Sequence, residues 1–547
     1  MRYHPDIFRI VIFSFSLFTM SQASVFYCDP QNGSMENDGS EEHPWSTLEE
    51  VFDNNLISSF MYENKPAEEG AHLVPKNESA PVTAGDTIML KNGYHGDIFA
   101  SEYYNDDFIT IMAFPGQTPK VAAIELRSGC RWRISGLTVS PSFAKEYQRR
   151  TLINFSSHNW TGVSHTCIAE ACTVYSVPDA SNWTMKQWDT LSCNGISLPG
   201  NRMSAAGNFF KNVNFAIAVT GDSCMIENNT VENFSGDGMR GLGDYCTFQY
   251  NTIKNCYDVN ANHDDGFQSW SVGDDGVGTG VVYGVTLRGN TIINYEDPNQ
   301  PFRGTLQGIG CFDGMFEGWL IENNVVITDH WHGITLSGAT NCMMINNTVV
   351  DLNDEKPGPP WVRFSDHKDG TPSTGCVIRN NLTTSINASS EGVTIDHNII
   401  IDDYDTYFVD YAKGDLRLKA GCPAIDSGSA EGAPASDIMG RKRPIDGAVD
   451  VGAYEYTSAK VAAGKYVRTV SSPLQIIRLP HEIQLYFHLV PESEIVISSF
   501  DGRKVAVYMP GKSNTVVWNT TGIKSGVYLV SFNDGKRIFS QPVSVVK

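Results

Sequence analysis

The chain is poor in charge and poorer still in positive charge. Only 19% of its residues are Asp, Glu, Lys or Arg, and 40 basic residues face 62 acidic ones, for a formal net charge of -22. Such a surface repels a phosphate backbone, so nucleic acid is not an expected partner. Past the N-terminus no apolar run approaches the roughly 18 residues of a membrane-spanning helix, which removes a transmembrane anchor. What the chain has instead is 49 Gly, 27 Phe, 22 Tyr and 10 Trp, the composition of an ordered, turn-rich protein rather than a disordered or coiled-coil one. At about 150 residues per domain, 547 residues imply three or four units, unless an all-β solenoid runs on as one body.

The first residues read as an export signal over 1–23. Arg2 and Arg9 precede an apolar run from Ile10 to Met20, and Ser21-Gln22-Ala23 offers small residues to a signal peptidase. A secreted or cell-surface location is expected, without lipid attachment at Cys28, which bulky Tyr27 precedes. The twelve Cys recur in phase with a structural repeat, so stacked free thiols are favoured over a disulfide framework. Several Asn-x-Ser/Thr triplets fall on the same repeat and carry no glycosylation reading.

The repeat has two phrases. The first is apolar-x-apolar-x-x-Asn-x-apolar, as in Cys224-Met225-Ile226 leading to Asn229, Cys246-Thr247-Phe248 to Asn251, Val285-Thr286-Leu287 to Asn290 and Cys342-Met343-Met344 to Asn347. The second is x-Gly-apolar, as in Asn194-Gly195-Ile196, Asp237-Gly238-Met239, Asp265-Gly266-Phe267, Gln307-Gly308-Ile309 and His332-Gly333-Ile334. From the Gly position to the next Asn, 195 to 208, 216 to 229 and 238 to 251, the count is 13 in each of these three coils, against 24 from Gly266 to Asn290. Alternation of period two marks strands, and a side-chain amide at a bend satisfies backbone groups. The expectation is two strands per coil of 21 or 22 residues, with a column of stacked Asn.

This pattern resembles the right-handed parallel β-helix of pectate lyases and polygalacturonases, which implies an all-β, single-stranded solenoid over 24–456. The opening from Val25 to Glu49, with Ala84-Gly85-Asp86-Thr87-Ile88, is similar to that of exported β-helix polysaccharide lyases of the chondroitinase and alginate lyase type. Ser46 and Glu49 read as a capping box for a short helix to about Met61 that plugs the first coil. Gly421-Cys422-Pro423-Ala424 and Asp450-Val451-Gly452-Ala453 resemble the closing coils of that group. After a small, polar linker over 457–474, residues 475–547 alternate as a small C-terminal β-sandwich, with Asp501-Gly502 and Asp534-Gly535 as hairpin turns. This tail resembles the sorting domain of Bacteroidetes type IX secretion, which implies that machinery as a partner; the bland alternative is a carbohydrate-binding or stalk domain.

Chemistry is expected where carboxylates gather. Strands in a parallel stack lie about 4.8 Å apart, so Asp237 and Asp265 should be neighbours with Asp264 beside them, which is unfavourable unless they share a proton or bind a cation. Coil length also breaks here, with 28 residues from Gly238 to Gly266 and 42 from Gly266 to Gly308, and extra residues build clefts. Any single Asp-Gly is ordinary turn chemistry; three carboxylates in phase beside the longest insertions point to a site. Arg240 points outward to hold a carboxylate, Trp270, Trp331 and Phe316 offer rings for sugars, and Arg303 is a further cationic candidate for substrate binding. His330 and His332 lack a third ligand for a metal, and Asp274-Asp275 reads as a solvated loop.

Two resemblances then divide the site. Asp237, Asp264-Asp265 and His332-Gly333 match polygalacturonases by type, but the coil of Gly308 places His332 about 10 Å from Asp265, and no Arg-x-Lys pair follows. Asp237 and Asp264-Asp265-Gly266-Phe267-Gln268 match calcium-dependent pectate lyases, with Gln268 as a substitute oxygen ligand. That resemblance implies calcium on Asp237, Asp264, Asp265 and Gln268, but its Lys base falls near Gly310, leaving His263, His332 or Lys368 for the proton. An acidic face attracts a uronate polymer if a cation bridges the two. The expectation is therefore a monomeric polysaccharide lyase acting on an acidic substrate with calcium, its catalytic groups drawn from Asp237, Asp264, Asp265, His263 and His332. Hydrolysis by an Asp pair and non-catalytic glycan binding are the alternatives.

Overall fold

The computed structural model describes residues 23–458 except 354, 389–390 and 446, together with 474–479, 482–487, 494–499, 503–509, 515–524, 526–533 and 538–545. Residues 1–22 of the expected export signal over 1–23, and both expected hairpin turns of the tail, lie outside these residues.

The body is a right-handed parallel β-helix, with three strands per coil rather than the expected two. Successive coils run Ile217–Val219, Met225–Glu227 and Thr230–Phe234, then Met239–Gly241, Thr247–Gln249 and Thr252–Cys256. They stack in parallel register, Ile217 on Met239, Ile226 on Phe248 and Val231 on Ile253. The third strand is hidden in the sequence because its corner takes only two residues. The residue before each Asn adopts a left-handed conformation, as at Asn228 (φ 56°), Tyr250 (φ 55°) and Asn346 (φ 54°), so the chain turns sharply without a loop.

The Asn itself holds that corner. Asn251 Nδ2 donates to Ile226 O of the preceding coil at 3.0 Å and to Asn290 Oδ1 of the next at 2.9 Å, and Asn290 Oδ1 also accepts from Asn251 N. The same ladder continues from Asn208 through Asn229, Asn324, Asn347 and Asn381 to Asn398. Every rung but the half-buried last one, Asn398, is a buried amide whose hydrogen bonds run along the axis, which is why only Asn serves.

Inside the ladder the core is three columns of apolar side chains, for example Phe267, Ile309 and Ile334, then Phe248, Leu287 and Ile321, then Ile253, Ile292 and Val326, all essentially unexposed. Each contributes about 1.5–3 kcal/mol of burial. Gly at the opening of the first strand follows from crowding: a Cβ on Gly266 would lie 2.5 Å from Ile292 Cγ2 and one on Gly308 2.4 Å from Val326 Cγ1. All twelve Cys are buried and unbridged, as the stacking reading expects. Cys224, Cys246, Cys342 and Cys376 each donate to a carbonyl of the previous coil.

The ends differ from expectation in detail. The plug helix is Leu48–Asp53, capped one residue later than expected by Thr47, whose hydroxyl accepts from Glu50 N. It buries Leu48, Val51 and Phe52, the last against Tyr103 and Trp132. Residues 422–453 do not form closing coils. Cys422, Ala424, Val451 and Ala453 instead cover the outer side of the third sheet over Val325, Val350 and Leu382. A buried Arg443–Glu455 pair and a bond from Asn346 Nδ2 to Asp450 O fasten that cover. In the tail, antiparallel sheets of three and four strands share a core of Leu485, Trp518, Ile497 and Val530, the expected sandwich, and its first strand begins at Leu474. No helix among the described residues is long and apolar enough to cross a membrane.

Candidate functional site

Two rows of side chains, one where the first strand of each coil opens and one three residues on, carry the candidate chemistry. One row reads Asp237, Asp265, Gln307, His332, with Asp265 opposite Gln307. The other reads Arg240, Gln268, Gly310, Thr335, Arg363. The register thus confirms the spacing expected from sequence, with one coil between those of Asp265 and His332, and Gly310 beside Gln268. Loops from the lengthened coils wall in a cleft of about 230 Å³ whose lining includes His263, Gln268, Trp270, Gln307, Phe312 and His332.

At the cleft floor Asp265 is wholly buried. Its Oδ2 accepts from Gln268 Nε2 at 3.0 Å and lies 3.4 Å from His263 Nδ1, while Oδ1 has no partner. Burial, and then Asp237 nearby, push the Asp265 carboxyl far up. His263, with 64% of its side chain exposed, is raised chiefly by its hydrogen bond to Asp265. Both shifts have one meaning: the pair keeps a proton to higher pH than either group alone.

The other carboxylates are committed elsewhere. Asp237 accepts from Asp265 N at 3.1 Å through Oδ1 and pairs with Arg240 Nε through Oδ2. Arg240 is fixed further by stacking, its guanidinium 3.7 Å from the Phe215 ring centre and 5.4 Å from that of Trp270. Asp264, in the segment just before the strand Asp265–Trp270, is taken up by other partners. It accepts from Asn262 Nδ2 at 2.8 Å and from Cys256 Sγ at 3.4 Å, and burial lifts its pKa to about 7. Calcium takes six to eight oxygens around one point. Asp237, Asp264, Asp265 and Gln268 offer no such point, because a guanidinium occupies Asp237, Asn262 and Cys256 take up Asp264, and Gln268 directs its amide nitrogen at Asp265. Among the described residues no three or more His, Cys, Asp or Glu are arranged to hold a metal ion. The expected calcium set does not fit, and Asp264 does not join the cleft.

Two coils on, His332 packs against Phe312 at 4.6 Å and Trp361 at 5.4 Å between ring centres. Its Nδ1 lies 3.0 Å from Thr335 Oγ1, which also accepts from Trp361 Nε1 at 2.9 Å. Burial first, then His330 and Arg363, lower its pKa to about 4, so it is neutral at physiological pH. Trp331 is 47% exposed and lies parallel to Trp361. Lys368 pairs with Asp313 at the rim. Phe316, expected to meet sugar, is wholly buried against Trp319. Arg303 lies away from the cleft, pairing with Glu355 and stacking on Tyr295. Sequence reasoning missed Phe312, Asp313, Trp361 and Arg363. Their coil positions were countable for the first two, but the coil of Trp361 opens without the Gly phrase.

Comparisons agree with the solenoid. Residues 194–355 match the family described as a right handed beta helix region. No match was found among curated proteins. Of solved structures, pectate lyase Pel9A is similar at 14% identity, covering 80% of this chain and 98% of that one, with a TM-score of 0.36. The PL6 family alginate lyase AlyGC is similar at 15% identity over 62% of this chain and 53% of its own, with a TM-score of 0.33. The tailspike protein of E. coli bacteriophage HK620 is similar at 9% identity over 85% and 81%, with a TM-score of 0.32. At such values these likenesses carry no argument, and the chemistry has to be argued from the chain's own residues.

Proposed function

We propose that the protein is a carbohydrate-active enzyme that lays an acidic polysaccharide across the outward face of the first sheet and cleaves it by β-elimination at His263. The observation that carries this reading is the pairing of a largely exposed imidazole with a fully buried carboxylate beside a cleft lined by rings and amides. Asp265 orients the ring and keeps its proton affinity high, as a general base working near neutral pH requires. In the reaction His263 takes the proton from the carbon bearing the uronate carboxylate. The electron pair left behind forms the double bond to the neighbouring ring carbon, whose bond to the glycosidic oxygen breaks. That oxygen regains a proton from water. Arg240, held by Asp237 and two rings, answers the uronate charge in place of a metal ion.

Hydrolysis is less well supported, because it needs an acid and a carboxylate that both face the sugar. Here Asp237 is bound to Arg240, Asp265 is buried and Asp313 is bound to Lys368. Export and tail-directed surface delivery belong to the same proposal: mature protein from the medium should lack the tail. The test is a screen on pectic, alginate and glycosaminoglycan polymers, following ultraviolet absorbance of unsaturated ends and, separately, new reducing ends. Both should rise together, and His263→Ala should abolish both. Reducing ends without absorbance would mean hydrolysis, and no turnover on any polymer would leave a glycan-binding protein.

A further inference from the structure

Three coils beyond Asp265 the sheet face carries a positive charge with nothing to answer it. Arg363 stands in the outward row of Arg240, Gln268, Gly310 and Thr335. Several other arginines of the solenoid have carboxylates, Arg127 with Glu125, Arg150 with Asp97, Arg240 with Asp237 and Arg379 with Asp396, and Arg131 and Arg149 donate to backbone carbonyls. Arg363 has no ion pair or side-chain hydrogen bond among the described residues, and its Nε is buried without a partner. A half-buried guanidinium left so is unfavourable, unless the missing partner arrives with a ligand.

Its surroundings describe that ligand. The guanidinium lies 5.0 Å from the centre of the Trp361 ring. Trp361 is fixed by its bond to Thr335 Oγ1 and lies parallel to exposed Trp331, 6.2 Å between ring centres. Flat rings suit the apolar face of a pyranose, and the planar fork of an arginine suits a carboxylate or sulfate group. Gly310 and Thr335 keep the row between Asp265 and Arg363 low; a Cβ on Gly310 would stand 2.2 Å from Asp265 Oδ1. We propose that Arg363, Trp361 and Trp331 form a sugar subsite that reads the anionic group of one residue of the bound chain. The subsite rests on the reading of this face as glycan-binding, and it sets the preference for acidic over neutral polymer.

Calorimetric binding tests it with hexamers of galacturonate and of mannuronate–guluronate, their carboxyl-reduced counterparts, and a sulfated neutral hexamer. Wild-type protein should prefer a carboxylated hexamer to its reduced counterpart by about tenfold or more, the range of a charged hydrogen bond. Arg363→Gln should remove most of that preference while affinity for the reduced hexamer stays the same. Arg363→Lys should restore part of it, because an ammonium lacks the fork. Trp331→Ala should weaken carboxylated and reduced hexamers alike. Selectivity lost in Arg363→Gln only for the sulfated hexamer would identify a sulfate ester as the anion read. Thermal midpoints check folding, and Arg363→Lys serves if Arg363→Gln does not fold. Equal binding of every anionic hexamer and its neutral counterpart by wild type, or an Arg363→Gln variant that keeps the preference for both carboxylated and sulfated hexamers, would overturn the subsite even if polymers are cleaved. Selective binding through Arg363 with no polymer turned over would overturn only the enzymatic reading. Failure to bind any hexamer would overturn both.

Discussion

Replacing Asn290 by Ala removes one rung from the middle of the amide ladder. Asn290 Oδ1 is the acceptor for Asn251 N at 3.0 Å and for Asn251 Nδ2 at 2.9 Å, and both residues are 1% exposed. After substitution Asn251 keeps its bond to Ile226 O, but its backbone N–H and its second amide hydrogen face a cavity that water does not enter. At about 1–3 kcal/mol for each orphaned buried donor, the loss is about 4 kcal/mol, more than an exposed Asn could contribute. Asn398→Ala is the internal comparison. It removes the equivalent acceptor for Asn381, but Asn398 is only half-buried at the last rung, where water can take the lost bonds. Its cost should be about 1 kcal/mol. Urea denaturation followed by circular dichroism should show the midpoint falling several-fold further for Asn290→Ala than for Asn398→Ala. Equal shifts, or a loss under about 1 kcal/mol at Asn290, would mean that the core columns hold the coils and the ladder only decorates the corner.

Other consequences follow from the site. Asp264 has its folded pKa raised from 3.8 to about 7, so the native state holds its proton more tightly than the unfolded chain. This contribution is complete below pH 4 and is lost as pH climbs to 7, up to about 4 kcal/mol. Asp264→Asn should therefore flatten the thermal midpoint between pH 4 and pH 8, and an unchanged slope would place the proton elsewhere. In the activity profile, the rising limb belongs to loss of the proton shared by His263 and Asp265, and should lie above the ordinary histidine value near 6.5. Asp265→Asn should move that limb to lower pH and reduce kcat/KM by about a hundredfold, in line with a misoriented general base. A limb that stays in place would show that Asp265 does not touch the base. Incubation with a calcium chelator should leave turnover unchanged, and activity lost with the chelator and restored by calcium would reinstate a metal ion at this face.

The fold was legible because its constraints repeat. Gly at the opening of the first strand and Asn at the corner answer the same geometry in most coils, so a spacing of 13 residues recurred in plain sight. The third strand was not legible, because the left-handed residue before Asn does with two residues what a loop would announce with five or six. Asp237, Asp265, Gln268 and His332 were found by the same phase. Asp264 failed as a ligand although it lies beside the other two carboxylates, because Asn262 and Cys256 take up its oxygens, which spacing does not report. The calcium reading fell with it, and also because the Arg240–Asp237 pair depends on where a long side chain folds, which spacing does not report. Trp361 and Arg363 escaped because the register slips between His332 and Ile334, so counting from the Gly phrase loses its place there.

A regular solenoid has no reason to make a cleft at all. Coils of equal length stack into a flat face, and every inward residue is committed to the core. Chemistry can be written only on outward positions, and enclosure can come only from coils that grow longer. In this chain both happen at once: the long excursions between Cys256 and Leu306 leave and rejoin the stack around the strand that carries Asp265 and Gln268. The same excursions bury Asp265 deeply enough to hold a proton, and so set the proton affinity of His263. Shortening the excursion over Val272–Val277, whose paired base residues are two exposed valines, should therefore be tolerated by the fold. Shortening the segment over Asp258–Asn262, which positions His263 and the Asn262 partner of Asp264, should abolish turnover while leaving the stacked coils intact.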